Sequence, residues 1–224
     1  MTVQQELNNF LADVIAKKGL QFDESGIQHT HNKADPSAPV PPFKFNLCTS
    51  ALRQEGRLAD ADMDQMAAFI GHSLLKTRPL PDAIAGIPNV GADIAQRVEM
   101  YLRREGCYLP RMRLAKWESG FNIVDTANYK PGPVCVIDDL IHMGLSKRRF
   151  MVALETAGYT VTDCWVFLTY EQGGEEYFDK LGTAVHAVST VRSTLELGHD
   201  VGHITHDKYH LAMRYLEGTR TAVI

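Results

Sequence analysis

The stretch Pro131 to Phe150, PGPVCVIDDLIHMGLSKRRF, decides the reading of the chain. It joins a Pro-Gly-Pro turn, the apolar run Val134 to Ile137, two adjacent acids, Asp138 and Asp139, and Gly144 ahead of a basic segment. A short apolar run of this kind fits a strand covered on both faces of a sheet. Two ionised carboxylates cannot remain unpaired in such an interior, because desolvation penalises each heavily. They are expected to emerge at the carboxyl end of the strand, where open α/β sheets take their ligands. The loop that follows runs into a helix N-terminus, whose backbone N–H groups suit a phosphate. Gly144 permits close backbone approach, Ser146 offers a hydroxyl and a helix cap, and Lys147, Arg148 and Arg149 read as a solvated basic first turn. Taken alone, the acid pair also fits a helix cap at a solvated turn. The order of the flanking elements favours a ligand that carries hydroxyls and a phosphate together, as ribose 5-phosphate does.

Outward from this stretch, strands and helices alternate. DAIAGIP reads as a short strand and turn, GADIAQRVEMYLRREG as a helix ending at Gly106, and CYLPRMRL as a candidate strand. After VCVIDDL come a helix stopped by Gly158, the strand VTDCWVFLTY, a short helix EEYFDKLG and a closing strand AVHAVSTV. This alternation predicts an α/β fold with a mostly parallel central sheet flanked by helices. Leu7, Phe10, Leu11, Val14 and Ile15 predict an amphipathic helix over about residues 3–18, and DADMDQMAAFIGHSLL a second one. Residues 27–42, with three prolines, read as a loop or a small extended lobe. The segment ITHDKYHLAMRYLEG predicts a last helix capped by Thr205. His206 and His210 stand one helical turn apart there, but the apolar spacing explains the segment as a docked helix better than as a metal site.

The chain has 224 residues, 45% of them hydrophobic and 22% charged, and a formal net charge of −4. It can bury a sizeable core as a single domain, and the balance of charge argues against a broad nucleic-acid surface. No apolar run approaches membrane-spanning length, and the N-terminus lacks a secretory pattern, so a cytoplasmic protein with no membrane partner is expected. The four cysteines, Cys48, Cys107, Cys135 and Cys164, are scattered and read as reduced packing residues.

Several segments together carry a resemblance. VIDDLIHMGLS resembles the signature of type I phosphoribosyltransferases, in which two acids follow a strand and a T-x-G-x-[ST] loop holds a 5′-phosphate. FLADVIAKKGLQF, FKFN, AGIPNVGADIAQ, RMRLAKWESG, YEQGGEEYFDKLGTAVHAVSTV and ITHDKYHLAMRYLEG are similar, in that order, to segments of the orotate phosphoribosyltransferase branch. The resemblance implies the type I fold with a small N-terminal hood, formed mainly by residues 1–46. It also implies transfer of a phosphoribosyl group from phosphoribosyl pyrophosphate to orotate or a related pyrimidine-like base, with Mg2+ held mainly through ligand oxygens and water rather than by direct protein ligands. Asp138 and Asp139 would hold the ribose, and His142, Met143, Gly144, Leu145 and Ser146 the 5′-phosphate. Lys116 and Arg113 would meet the pyrophosphate from a mobile loop over about residues 111–125, which reaches the neighbouring site of a homodimer. Lys44, Phe45 and Tyr170 would lie on the base side.

The chain also departs from that pattern. His142 and Met143 stand where threonines are usual, and Leu145 replaces a small residue. Val90 stands at a usual Lys, Met112 at an Arg and Glu118 at a His. Tyr170 occupies the place of an Arg that meets the orotate carboxylate, a loss for which Lys44 is a candidate replacement. The losses of charge face the ligand, so they leave open an enzyme with an altered base, a non-catalytic binder of phosphoribosyl pyrophosphate or a nucleotide that acts as a regulator, and a structural partner of an active relative.

Overall fold

The computed structural model describes residues 1–23, 26–27, 40–77, 79–117, 120–123 and 130–220, with the backbone alone at 114–117, 120–123, 145, 146 and 220. The chain divides into two compact units, one comprising Asp60–Thr169 and Gly173–Val188, the other Met1–Ala59, Tyr170–Gln172 and Ser189–Ile224.

In the second of these, helix α1 (Val3–Phe10) starts at Thr2, whose side chain accepts from the Gln5 N–H in a reciprocal capping box. The helix continues as a π-helical segment, Leu11–Gly19, closed by the Leu20 N–H on the Ile15 carbonyl five residues back. Strands β1 (Leu20–Phe22) and β2 (Phe43–Phe45) pair antiparallel, Leu20 opposite Phe45.

The other unit holds the sheet. Helix α2 (Asp60–Leu74) begins with Asp60 and Asp62 in its first turn, where the helix dipole favours anions. Strand β3 (Ala83–Gly86) leads into α3 (Val90–Arg104), which ends at the left-handed Gly106. Arg97 of α3 reaches Asp60 at 2.6 Å, Asp64 at 2.7 Å and Asp93 at 2.8 Å, tying α2 to α3.

The strand expected over CYLPRMRL is broken in two. Pro110 has no N–H to donate, and only its carbonyl joins the ladder, accepting from Ile84 at 3.0 Å. Strand β4 is therefore just Arg111–Met112, and the chain then turns into an antiparallel hairpin of β5 (Leu114–Trp117) and β6 (Gly120–Ile123) that lies beside the next helix.

Strand β7 (Pro133–Ile141), helix α4 (Leu145–Thr156), strand β8 (Thr160–Thr169), helix α5 (Gly174–Asp179) and strand β9 (Ala184–Thr190) complete the alternation. The sheet order is β4-β3-β7-β8-β9, and β4, β3, β7 and β8 run parallel. One sheet face packs Val134, Val136, Cys164 and Val166 against Phe150, Met151 and Leu154 of α4. Burying side chains of this size contributes about 2–3 kcal/mol each, so this face anchors α4 firmly.

Two further helices lie in the unit that holds α1. The last, α7 (His206–Arg220), starts just after Thr205, whose carbonyl accepts from Tyr209 at 2.9 Å as expected of a cap position. Before it lies α6 (Val191–Asp200), which the sequence reading does not predict. Its signal is the Thr190 hydroxyl accepting from the Ser193 N–H at 3.0 Å, followed by buried Val191, Thr194, Leu195 and Gly198. Gly198 lets α6 approach the π-helical segment: a methyl there would stand 2.5 Å from Ala16 Cβ. Among the described residues, no helix is long and apolar enough to cross a membrane.

Candidate functional site

From β3 the sheet grows outward to β4 and then, on the other side, to β7, so its direction reverses between β3 and β7. The carboxyl ends of these two strands border the crevice where open parallel sheets take ligands. Two turns meet there: residues 87–89, leading into α3, and His142 to Gly144, leading into α4.

The acids do not emerge past the strand, as the sequence reading expects. β7 runs on to Ile141, Asp138 pairs in register with Val166, and Asp138 and Asp139 are only 7% and 9% exposed. What permits this is a partner. Lys147, expected in a solvated turn, is itself buried and donates from Nζ to Asp138 Oδ2. Its position explains the burial, because Lys147 lies three and four residues before the fully buried Phe150 and Met151, on the inward stripe of α4. Of the other basic residues in that turn, Arg148 meets Glu155 at 2.8 Å and Arg149 is exposed.

Burial pushes the Lys147 ammonium down, but Asp138 and Asp139 lift it by more, so its pKa stands above the ordinary lysine value. Burial likewise pushes the Cys164 thiol up to about 12, with Lys147 opposing. The second oxygen of Asp138 faces α3. A methyl on Gly91 would stand 2.7 Å from Asp138 Oδ1 and 2.6 Å from the Ile137 carbonyl, so only glycine fits. Asp139 Oδ1 accepts from the Leu140 N–H at 2.8 Å.

The turn into α4 is shaped by Gly144, which is left-handed at φ 79° and occupies the N-cap position without a side-chain cap. Ser146, expected as the cap, is instead the second residue of the helix, since Arg148 is the residue that bonds back to Gly144, at 3.0 Å. The main-chain N–H groups of Leu145, Ser146 and Lys147 thus stand at the helix N-terminus, where a helix leaves donors without intrahelical partners. The loop is backed by α5: added methyls would stand 2.6 Å from Phe178 at Gly144 and 2.4 Å from the His142 carbonyl at Gly174. His142 is half-buried and Met143 exposed.

The other expected residues lie elsewhere in the chain. Arg113 is exposed between β4 and β5, and Lys116 is opposite Phe121 in the hairpin, its side chain outside the described residues, as are those of Leu145 and Ser146. The segment expected as a mobile loop, about 111–125, contains β4 and the hairpin; residues 118–119 and 124–125 lie outside the described residues. In the unit that holds β2, Phe43 stacks on Tyr170 at 6.0 Å and 11° and meets Phe45 and Tyr215 edge-on at 6.0 and 5.9 Å. Phe45 and Tyr170 are both buried in this cluster. Lys44 lies 3.7 Å from Glu55.

No family model matches the chain. It is 29% identical over 147 residues to the orotate phosphoribosyltransferase of Nostoc sp., a match that spans 62% of this chain and 69% of that protein. Among solved structures, UMP synthase from Leishmania donovani superposes with a TM-score of 0.75 at 21% identity, over 97% of this chain and 43% of that one. The chain has the type I phosphoribosyltransferase fold. Orotate phosphoribosyltransferase from Aeropyrum pernix gives a TM-score of 0.53 at 20% identity, over 71% of this chain and 85% of that one. The phosphoribosyltransferase fold agrees with the expected parallel sheet and with the resemblance to the orotate branch. This chain spans less than half of the Leishmania chain that it matches.

The sequence reading of the site omits three residues. Lys147 is legible in hindsight from its place on the apolar stripe of α4, and Gly91 only from the packing of α3 against β7. Phe43 meets Tyr170 through tertiary structure, for which local spacing carries no signal.

Proposed function

We propose that the protein transfers a phosphoribosyl group from phosphoribosyl pyrophosphate to orotate or a related base. One arrangement carries the reading: the acid-bearing end of β7 followed by a Gly144-capped helix N-terminus, at the switch point of a sheet whose sequence relatives are named orotate phosphoribosyltransferases. In the transfer, the C1′–O bond to pyrophosphate breaks with its electron pair leaving on pyrophosphate, and a ring nitrogen of the base bonds to C1′ as its N–H proton passes to pyrophosphate oxygen or water. The amides of Leu145 to Lys147 take the 5′-phosphate, with Gly144 allowing close approach. Carboxylate charge at the end of β7 favours the positive character that develops on the ribose. Arg113 and Lys116, on the segment 111–125, meet the negative charge growing on pyrophosphate, and in a homodimer that segment serves the neighbouring site. Phe45, Tyr170 and Lys44 belong to the base side.

The donors at the end of β7 are hard carboxylate oxygens, which fit Mg2+ held largely by ligand oxygens and water. When bound, the ion supplies neutralising charge to the pyrophosphate.

The test is an assay for pyrophosphate release with phosphoribosyl pyrophosphate and Mg2+ across orotate, uracil and purine bases. Release with orotate or another pyrimidine is expected. A second reading, a non-catalytic binder that acts as a regulator, is favoured by the base side: Lys44 already has Glu55 beside it, and Tyr170 is stacked on Phe43. Binding of phosphoribosyl pyrophosphate with no release for any base would select it.

A further inference from the structure

We infer that His206 and His210, at the start of α7, form a two-imidazole site for a divalent transition metal of the copper(II) or nickel(II) class, with His199 of α6 orienting one of the two ligands. All three residues belong to the segment Ser189–Ile224 of one unit, and none has a place in the transfer proposed above.

The apolar spacing of α7 serves docking, as the sequence predicts: Ala212 and Leu216 are buried. His206 and His210 lie beside that stripe and are exposed, so packing does not account for either imidazole. They stand four residues apart, one above the other on one helix face. Their rings meet edge-on at 4.2 Å and 80°, and their Nε2 atoms are 3.0 Å apart. His199 comes from the preceding helix. Its Nε2 lies 3.4 Å from Nδ1 of His206, and its ring is held by stacking on Tyr209 at 4.5 Å and 22°. On its other side, His199 Nδ1 faces Asp200 at 3.8 Å.

This row of groups selects tautomers. The Asp200 carboxylate favours the His199 proton on Nδ1, which leaves His199 Nε2 to accept from Nδ1–H of His206. The Nε2 lone pair of His206 is then free and faces His210. Metal-bound imidazoles have the same arrangement, in which the second ring nitrogen donates to an outer partner that fixes the ring. Without an ion, His210 donates from Nε2–H to that lone pair; on binding it releases the proton, and both lone pairs serve the metal.

The spacing also selects the ion. Two nitrogens 3.0 Å apart, each about 2.0–2.1 Å from a common ion, subtend about 90–97° at it. A tetrahedral ion would need them about 3.3 Å apart. A right angle belongs to adjacent corners of a square-planar or tetragonal site, the preference of Cu2+ and Ni2+, and of the first-row divalent ions Cu2+ binds nitrogen donors most tightly. Among the described residues no group of three or more His, Cys, Asp and Glu is arranged to hold one ion, so water takes the remaining positions. His206 is the first residue of α7, and the chelate therefore closes the first turn of that helix.

The experiment titrates Cu2+ alone into the full chain without an affinity tag, followed by calorimetry, thermal melts and pulsed EPR. It compares the wild-type protein with His206→Gln, His210→Gln, their double combination, His199→Phe and His203→Gln. One Cu2+ per chain is expected, with two imidazole nitrogens in the EPR spectrum. Each ligand variant is expected to bind at least about 100-fold more weakly, and His199→Phe, which keeps the stack on Tyr209, about tenfold more weakly with the two-nitrogen spectrum retained. His203, which pairs with Asp13 at 3.0 Å, is expected to be dispensable. Cu2+ is expected to raise the melting temperature of the wild-type protein and not that of the double variant. Ni2+ is expected to bind at least as tightly as Zn2+.

No binding by the wild-type protein, unchanged affinity in the double variant, or a spectrum with fewer than two imidazoles would overturn the site. A spectrum with three would make His199 a ligand and overturn the two-imidazole assignment. Unchanged affinity in His199→Phe would overturn its positioning role, and Zn2+ binding more tightly than Ni2+ would overturn the square geometry.

Discussion

The end of β7 and the cluster around Phe43 solve opposite problems. At the end of β7, charged groups are held inside a sheet by one another: Asp138 by Lys147, and Asp139 by a backbone amide. Around Phe43 the contacts are ring against ring, with Tyr170 stacked and Phe45 and Tyr215 edge-on. The first region keeps charged side chains beside the helix N-terminus at the start of α4. The second spends its aromatic surface on packing, and its cation, Lys44, sits beside Glu55. Buried charge is concentrated at the end of β7, and the cluster around Phe43 is built from aromatic rings.

Substitutions can break that contrast, and the largest effect is expected within the buried pair. Lys147→Met leaves Asp138 buried without its counter-charge and should cost about 3–5 kcal/mol in chemical denaturation. Because the pair is buried, the loss should be nearly the same at high and low salt. Phe43→Ala removes the central ring of the other region and should cost about 3–4 kcal/mol, with a loss that Phe43→Leu largely restores. A result in which Phe43→Ala is harmless would mean that the rings are not what holds that region together.

Gly144→Ala sharpens the comparison at the turn itself. It forces a side chain into a left-handed residue facing Phe178, and should cost about 1–3 kcal/mol in stability while weakening phosphate binding. Alkaline titration comes next. The Cys164 thiol has a raised pKa in the folded protein, so the unfolded chain binds fewer protons between its ordinary value of 9.0 and about 12. The stability it contributes is full below pH 9.0 and falls as pH rises towards 12, an effect that Cys164→Ala should reduce in melts taken across that window. The smallest effect is expected for Lys44→Ala, whose partner Glu55 is half exposed: the melting temperature should not move measurably.

Much of the fold is legible in the sequence because its punctuation is local. Gly106, Gly158 and Gly182 end helices or turns with φ of 76°, 89° and 77°, as their positions after amphipathic segments suggest. The apolar run before Asp138 marks the buried strand for the same reason. Helix α6 escapes notice because STVRSTLELG continues a β-branched strand without a glycine or proline to separate the two. Strand β4 is shorter than its apolar content suggests because Pro110 withholds a donor. In the candidate site, the acids and Gly144 are legible as a contiguous motif. The burial of Lys147 is not read there because a basic run after a glycine looks solvated until the helix phase is set against Phe150 and Met151. The stacking of Phe43 on Tyr170 joins residues distant in sequence and belongs to packing that no local pattern encodes.

The central claim is most directly tested by a crystal structure of the protein bound to phosphoribosyl pyrophosphate and Mg2+. The 5′-phosphate is expected against the main-chain amides of Leu145 to Lys147, with the ribose diol at the acid-bearing end of β7 and the Asp138–Lys147 pair intact. A fully occupied ligand whose phosphate lies away from the start of α4, or whose diol displaces Lys147 from Asp138, would contradict the account.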